Sequence, residues 1–195
     1  MNVVMVTPSR RQITASSSTR FTIWGPTVNE QLGHSIGCDN VSGGRQGTRH
    51  LLDIGRRRIA FLGSTSRRSP EFAGRYEGYC EALRDAGLEP LSSLKVDAEN
   101  LGVDGTRAVE QLLASGSEFD AIFAATDIIA IGAMRALQQN GLAVPADVSV
   151  IGFDDVSLAA HVSPALTTVR QDIREASEAL VNSIVGMIEG RPVES

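Results

Sequence analysis

The chain has 195 residues, 42% of them hydrophobic, and a formal net charge of -5. This length can bury a sizeable core, and the composition excludes a disordered or a disulfide-stapled chain. No apolar run reaches the roughly 18 residues that span a bilayer, and the acidic balance disfavours nucleic-acid binding by charge alone. The two cysteines, Cys38 and Cys80, fit a reducing compartment, and we expect a cytoplasmic protein.

The predicted elements alternate between short strands and amphipathic helices. In residues 1–20 a short apolar run precedes the arginines, the reverse of a secretory signal, so we expect no export signal. Strands are predicted at 21–24, 35–38, 58–62, 94–96, 121–124, 148–153 and 166–169. Helices are predicted from the cap residues 39 and 40 to about 54, then at 70–86, 103–114, 128–139 and 173–189. This alternation predicts an α/β fold whose mostly parallel sheet is covered on both faces.

Polar side chains follow three of the predicted strands, at the edge where ligands of open α/β sheets bind. Hydroxyls, carboxylates and a guanidinium suit a small polyhydroxylated ligand, because they donate and accept hydrogen bonds in complementary geometry. An aspartate at a strand end is, however, often only a helix cap or a turn residue, so both roles stay open. The residues concerned are Ser64, Arg75, Thr126, Asp127, Asp154 and Asp155.

Enzyme and metal motifs are missing from the sequence. The histidines are scattered without metal-ligand spacing, and no dinucleotide, nucleophile-elbow or zinc-protease motif occurs. The glycine-rich run 43–48 lacks the end of a phosphate-binding loop and favours close helix packing instead. The arginines at 56–58 are typical of a solvated helix-to-strand corner. We therefore expect no enzyme, no cofactor and no metal site.

Five segments, taken in order, resemble one known family. The most specific is Val-Pro-Ala-Asp-Val-Ser-Val-Ile-Gly-Phe-Asp-Asp at 144–155, and Arg-Tyr-Glu-Gly-Tyr stands at 75–79. The other segments are 55–63, 120–133 and 164–172. Together they resemble the effector-binding core of the LacI/GalR transcriptional regulators over residues 21–192.

This resemblance implies a periplasmic-binding-protein-like type I fold, with parallel sheets flanked by helices in two subdomains and an effector in the cleft between them. It places 57–166 in the C-terminal subdomain, and 21–56 plus 167–195 in an incomplete N-terminal one. Residues 1–20 have no counterpart in the family. We expect a truncated chain that lacks the helix-turn-helix domain through which the family binds DNA.

The resemblance also implies roles for individual residues. Arg75, Thr126 and Asp154 match positions that hold sugar hydroxyls or a purine, although Thr126 stands where the family often has asparagine. Ser64 is added as a contact by its strand-end position, and Asp39 is either a helix cap or a contact. Asp127 is expected to cap the following helix.

The resemblance further implies a homodimer. The helix at 128–137 is apolar around most of its circumference, which predicts burial on two sides, by the sheet and by a dimer partner. In the family, this region and the stretch near Val162 lie toward the dimer interface, so we expect Ile131 and Val162 there.

The expected function is the sensing and dimerisation core of a transcriptional regulator with a small-molecule effector, most simply a carbohydrate. The alternative is a periplasmic-type sugar-binding protein of a transport system, which the missing signal peptide disfavours. A small α/β enzyme using Asp154 and Asp155 is a third, much weaker interpretation.

Overall fold

The computed structural model describes residues 22–25, 34–99 and 101–190. The strands are β1 Thr22–Trp24, β2 His34–Ile36, β3 Ile59–Leu62, β4 Lys95–Val96, β5 Ala121–Ala124, β6 Ser149–Asp154 and β7 Thr167–Arg170. The helices are α1 Asn40–Asp53, α2 Pro70–Asp85, α3 Gly102–Ala114, α4 Asp127–Gln139 and α5 Ile173–Glu189. Short 3-10 turns at Ser92–Leu94 and Ser157–Ala160 are additions to the predicted elements. The predicted segment 1–20 lies outside the described residues.

The chain divides into two compact units, and the larger one is Asn40–Arg170. Its five strands form a parallel sheet in the order β4-β3-β5-β6-β7. Both β3 and β5 are buried along their full length, because a parallel strand covered on both faces needs a continuous apolar run. The chain leaves β3 toward β4 on one side and returns to β5 on the other. The strand order therefore switches between β3 and β5, which confirms the predicted α/β class.

Helices cover the two faces of this sheet. The rings of Phe123 and Phe153 face α1, since a Cβ at Gly47 or Gly43 would lie within 2.7 Å of them. Gly152 alternates with Phe153 along β6 and faces α4, where the nearest side-chain atom is Asp127 Oδ1. Helices α1 and α2 therefore cover one face, and α3 and α4 the other.

Glycines let the helices of each pair approach closely. A Cβ at Gly78 of α2 would lie 1.9 Å from the Val41 carbonyl oxygen of α1, and one at Gly44 would lie 2.1 Å from the Arg75 carbonyl oxygen. In the other pair, a Cβ at Gly132 would lie 1.9 Å from the Gly102 carbonyl oxygen. The prediction that the run 43–48 permits close packing is confirmed, because larger side chains would force the helices apart.

The arginines at 56–58 form a corner at the amino edge of the sheet. The Arg56 guanidinium donates to Ser149 Oγ at 3.0 Å and to the carbonyls of Pro145 and Ala146. The Asp120 carboxylate accepts the backbone N–H groups of Arg57 and Arg58 at 2.9 Å. These bonds fasten the α1–β3 loop to the α4–β6 loop and, through Asp120, to the α3–β5 loop, as expected of a structural corner.

The smaller unit combines the described residues before Asn40 with those after Arg170. In it β1 pairs with β2 in parallel register, and α5 contacts both strands. The Asp172 carboxylate caps α5 by accepting the Glu175 N–H at 3.1 Å, and Gly190 ends the helix in the left-handed region.

The unit boundaries differ from the expected ones at two places. Residues 40–56 and 167–170 fall in the larger unit, whereas we expected them in the N-terminal subdomain. The reason is physical, since α1 packs against α2 and β7 pairs with β6 through backbone hydrogen bonds.

Within the described residues, no helix combines the length and the apolar character that crossing a membrane requires.

Candidate functional site

The carboxyl edge of the larger sheet brings together three of the predicted site residues. Ser64 follows β3, Thr126 follows β5 and Asp154 ends β6, and these three strands are neighbours in the sheet. The edge lies at the switch in strand order, where chain crossovers diverge and leave a crevice. Arg75 of α2 adds a guanidinium there.

Arg75 is 5% exposed and is held on several sides. Its Nε donates to Asn40 Oδ1 at 2.9 Å, and its Nη1 donates to the Ala125 carbonyl. The guanidinium carbon lies 3.7 Å from the centroid of the Phe153 ring, a cation–π geometry. The glycine-mediated approach of α1 to α2 makes the Asn40 bond possible. Arg75 is thus a rigidly oriented donor rather than a mobile surface charge.

Asp154 faces this guanidinium. Its Oδ1 lies 3.6 Å from Arg75 Nη1, and its side chain is 28% exposed. Burial raises the pKa of Asp154 to about 6, while Arg75 lowers it and Asp127 raises it further. The backbone adopts a φ of 119° at Asp154 and 57° at Asp155, which is costly for residues with a Cβ. Strain of this kind concentrates at functional sites.

Thr126, not Asp127, caps helix α4, so the expected role of Asp127 is wrong. The Thr126 hydroxyl accepts the Ile129 N–H at 3.3 Å, and the residue is 2% exposed. Asp127 is the first helical residue, and its carboxylate accepts the Val156 N–H at 2.8 Å and the Thr168 hydroxyl at 2.6 Å. The capping position requires extended backbone, which Thr126 has, with a φ of -144° and a ψ of 163°, whereas Asp127 is already helical.

Ser64 and Asp39 occupy less central positions. Ser64 is half-buried after β3, its N–H donates to the Ala98 carbonyl at 2.9 Å, and its Oγ accepts the Ser66 N–H at 3.4 Å. Asp39 is exposed, directly precedes α1 and falls in the smaller unit. Contact of either residue with a ligand stays a prediction.

Helix α4 is covered differently from our expectation. Its second side packs against α3 of the same chain, with Thr106 Oγ1 donating to the Gly132 carbonyl at 3.1 Å. A dimer partner is therefore not needed to explain the apolar circumference of this helix. Ile131 and Val162 are half-buried, and their place in a dimer interface stays a prediction.

Two residues that shape the site were missed as site residues. Asn40 was assigned only cap chemistry, and Phe153 only a strand position. The alternation in Gly-Phe-Asp was the available signal for Phe153, because it places the ring near the end of β6 on the face that α1 and α2 cover. No local signal links Asn40 to an arginine 35 residues away.

The site combines a fixed planar donor with a partly exposed carboxylate acceptor. Such a pair recognises vicinal hydroxyls or a base edge, which offer donors and acceptors in one plane. Within the described ranges, no group of three or more His, Cys, Asp and Glu side chains is arranged to hold a metal ion. The arrangement suits recognition of a polar small molecule.

A model of the periplasmic binding protein-like domain matches residues 48–195. The chain is 36% identical over 163 residues to the HTH-type transcriptional regulator AscG of Escherichia coli, which covers 84% of this chain and 48% of AscG. It is 37% identical over 165 residues to the regulator CelR of Thermobifida fusca, covering 82% of this chain and 48% of CelR. The chain thus spans about half the length of the curated relatives that it matches.

Solved structures of such regulators superpose on this chain. The crystal structure of the Escherichia coli repressor ascG superposes with a TM-score of 0.81 at 32% identity, covering 91% of this chain and 64% of that one. A CelR–cellobiose complex superposes with a TM-score of 0.76 at 35% identity, covering 85% and 52%. The chain therefore belongs to the periplasmic binding protein-like domain family, in the form that this domain takes in LacI/GalR transcriptional regulators.

Proposed function

We propose that this chain is the effector-sensing core of a LacI/GalR-type transcriptional regulator. The observation that carries the proposal is the Arg75–Asp154 pair, held 3.6 Å apart beside the switch in strand order. Both groups are costly to bury, and a polar ligand that bonds to them offsets this cost. The similarity of the chain to HTH-type regulators favours this role over that of a transport protein.

The proposed effector is a sugar or a purine-type molecule, most simply a carbohydrate. Asp154 would accept hydrogen bonds from vicinal hydroxyls while the guanidinium of Arg75 donates to a ligand oxygen. Thr126 and Ser64 would add hydroxyls at the neighbouring strand ends. A solved relative, CelR, is described as a complex with cellobiose, and other relatives carry the name PurR, a transcriptional repressor, so carbohydrates and purines both belong in a test.

The proposed mechanism is a shift between conformations of a dimeric regulator. An effector can shift such an equilibrium only by its difference in affinity for the two states, typically ~1 to 3 kcal/mol. Contacts at Ile131 and Val162 would transmit the change across the dimer, and the helix-turn-helix domain of the regulator would read the DNA. Size-exclusion chromatography with light scattering tests the dimer, and a monomer at micromolar concentration contradicts it.

A thermal-shift scan against monosaccharides, disaccharides and purines tests the effector site. A compound at 100 times its Kd stabilises the folded chain by ~2.7 kcal/mol, which raises the Tm by several degrees. We expect Asp154→Ala to abolish this shift while the fold is retained. Glu118→Ala, which removes an exposed carboxylate at the opposite edge, is the matched control and should respond like wild type. An unchanged shift in Asp154→Ala contradicts the site.

A further inference from the structure

Asp127 is a fully buried carboxylate for which the proposed effector chemistry has no use. It is 0% exposed, and burial raises its pKa, while the hydrogen bonds from Thr168 and Val156 lower it. Its carboxylate occupies the space beside Gly152, where a Cβ would lie 2.2 Å from Oδ1. A buried charge is costly unless hydrogen bonds or an opposite charge compensate it. The groups that donate hydrogen bonds to Asp127 therefore indicate its role.

Those partners connect Asp127 to the segment that follows Asp154. The carboxylate accepts the Val156 N–H at 2.8 Å and the Thr168 hydroxyl at 2.6 Å. The same Thr168 oxygen accepts the Asp155 N–H at 3.3 Å. One carboxylate on α4 and one hydroxyl on β7 thus fix two consecutive peptide N–H groups of the segment that follows β6.

This segment needs to be fixed, because its backbone is strained. Positive φ values at Asp154 and Asp155 cost of order 1 to 3 kcal/mol each and persist only where the surroundings hold them. If the segment relaxed to ordinary backbone angles, the Cα–Cβ bond of Asp154 would change direction and its carboxylate would lose its present alignment with Arg75. The hydrogen bonds to the next two residues oppose that relaxation.

We propose that Asp127 and Thr168 are positioning residues, which hold the strained turn after β6 and so direct the Asp154 carboxylate toward Arg75. Neither residue needs to touch the effector. The importance of this arrangement for sensing rests on the proposed function, but the positioning itself is a property of the free chain. It can therefore be tested without a ligand.

The test uses Thr168→Val, which keeps the shape and branching of the side chain and removes the hydroxyl, with Thr168→Ser as the matched control that keeps it. Amide hydrogen exchange is measured at Asp155 and Val156, and the carboxyl carbon of Asp154 is titrated by NMR. In Thr168→Val we expect exchange at Asp155 to accelerate at least tenfold. We also expect the pKa of Asp154 to fall from about 6 by at least about one unit toward its ordinary value. Thr168→Ser should behave like wild type in both measurements.

Unchanged exchange and an unchanged Asp154 titration in folded Thr168→Val would overturn the proposal, as would equal changes in Thr168→Ser. Asp127→Asn is the second variant, since its amide keeps one of the two oxygens that accept the Val156 N–H and the Thr168 hydroxyl. It is judged by amide exchange at Asp155 and Val156, which should accelerate, because loss of the Asp127 charge by itself lowers the pKa of Asp154. The compound panel is then applied to wild type and to Thr168→Val. If wild type responds to no compound, the proposed function fails while the NMR data still decide the positioning. If wild type responds, positioning predicts at least a tenfold weaker affinity in Thr168→Val.

Discussion

Charged side chains have different roles at the two edges of the larger sheet. At the amino edge three consecutive arginines lie in or near solvent, and their bonds go to loop carbonyls, Ser149, Asp120 and Glu118. At the carboxyl edge one arginine is buried against an aromatic ring and paired with one carboxylate. The amino edge has more charge, yet its charges fasten loops. The density of charge in a sequence is therefore a poor guide to a site, and the burial of a charge is a better one.

Removing the guanidinium at the carboxyl edge should have the largest effect. Arg75→Ala leaves the Asp154 carboxylate without its paired charge and two buried acceptors, Asn40 Oδ1 and the Ala125 carbonyl, without this donor. We expect the free energy of unfolding to fall by about 4 kcal/mol and the effector response to vanish. Urea denaturation followed by circular dichroism measures the loss. A loss below about 1 kcal/mol would show that the two edges are energetically alike.

The pH dependence of stability sharpens the comparison. Burial raises the pKa of Asp154 to about 6, so between about pH 4 and pH 6 the folded chain binds a proton that the unfolded chain has released. This stabilisation is complete at low pH and is lost as the pH rises through 6. We expect Asp154→Asn to gain up to about 3 kcal/mol of unfolding free energy relative to wild type between about pH 4 and pH 7. A difference that stays flat across this range contradicts the assignment.

At the amino edge Arg56→Ala should have a moderate effect on stability. It removes the bonds to Ser149 and to the carbonyls of Pro145 and Ala146, of which the carbonyl bonds are partly replaced by water. We expect a loss of about 1 kcal/mol and an unchanged effector response in the thermal-shift panel. Loss of the response with the fold intact would mean that the amino edge also takes part in sensing.

The smallest effect is expected at Arg58. Its ion pair with Glu118 joins side chains that are 58% and 76% exposed, where solvent screens the attraction and side-chain entropy opposes it. Arg58→Ala should leave the Tm within about one degree of wild type and the effector response unchanged. A clear drop in Tm would show that the exposed pair is coupled to the Asp120 bonds beside it.

The sequence by itself determined the order of the elements and most of their bounds. Strand β5 and helix α5 have the predicted bounds of 121–124 and 173–189, because apolar periodicity and helix-end signals act between residues a few positions apart. The motif resemblance also predicted that Arg75 and Asp154 belong to one site, at the carboxyl edge of the sheet. Parallel strands place their carboxyl ends together, so this proximity follows from topology.

Only the tertiary structure decided the partners of the buried polar groups. It assigned the α4 cap to Thr126 instead of Asp127, placed Asn40 against Arg75, and covered α4 with α3 of the same chain. The bond from Thr168 to Asp127 joins residues 41 positions apart. Over such separations, the pairing of donors and acceptors depends on how closely the helices approach each other and on which side chains fit in the core. No local sequence pattern indicates either of these.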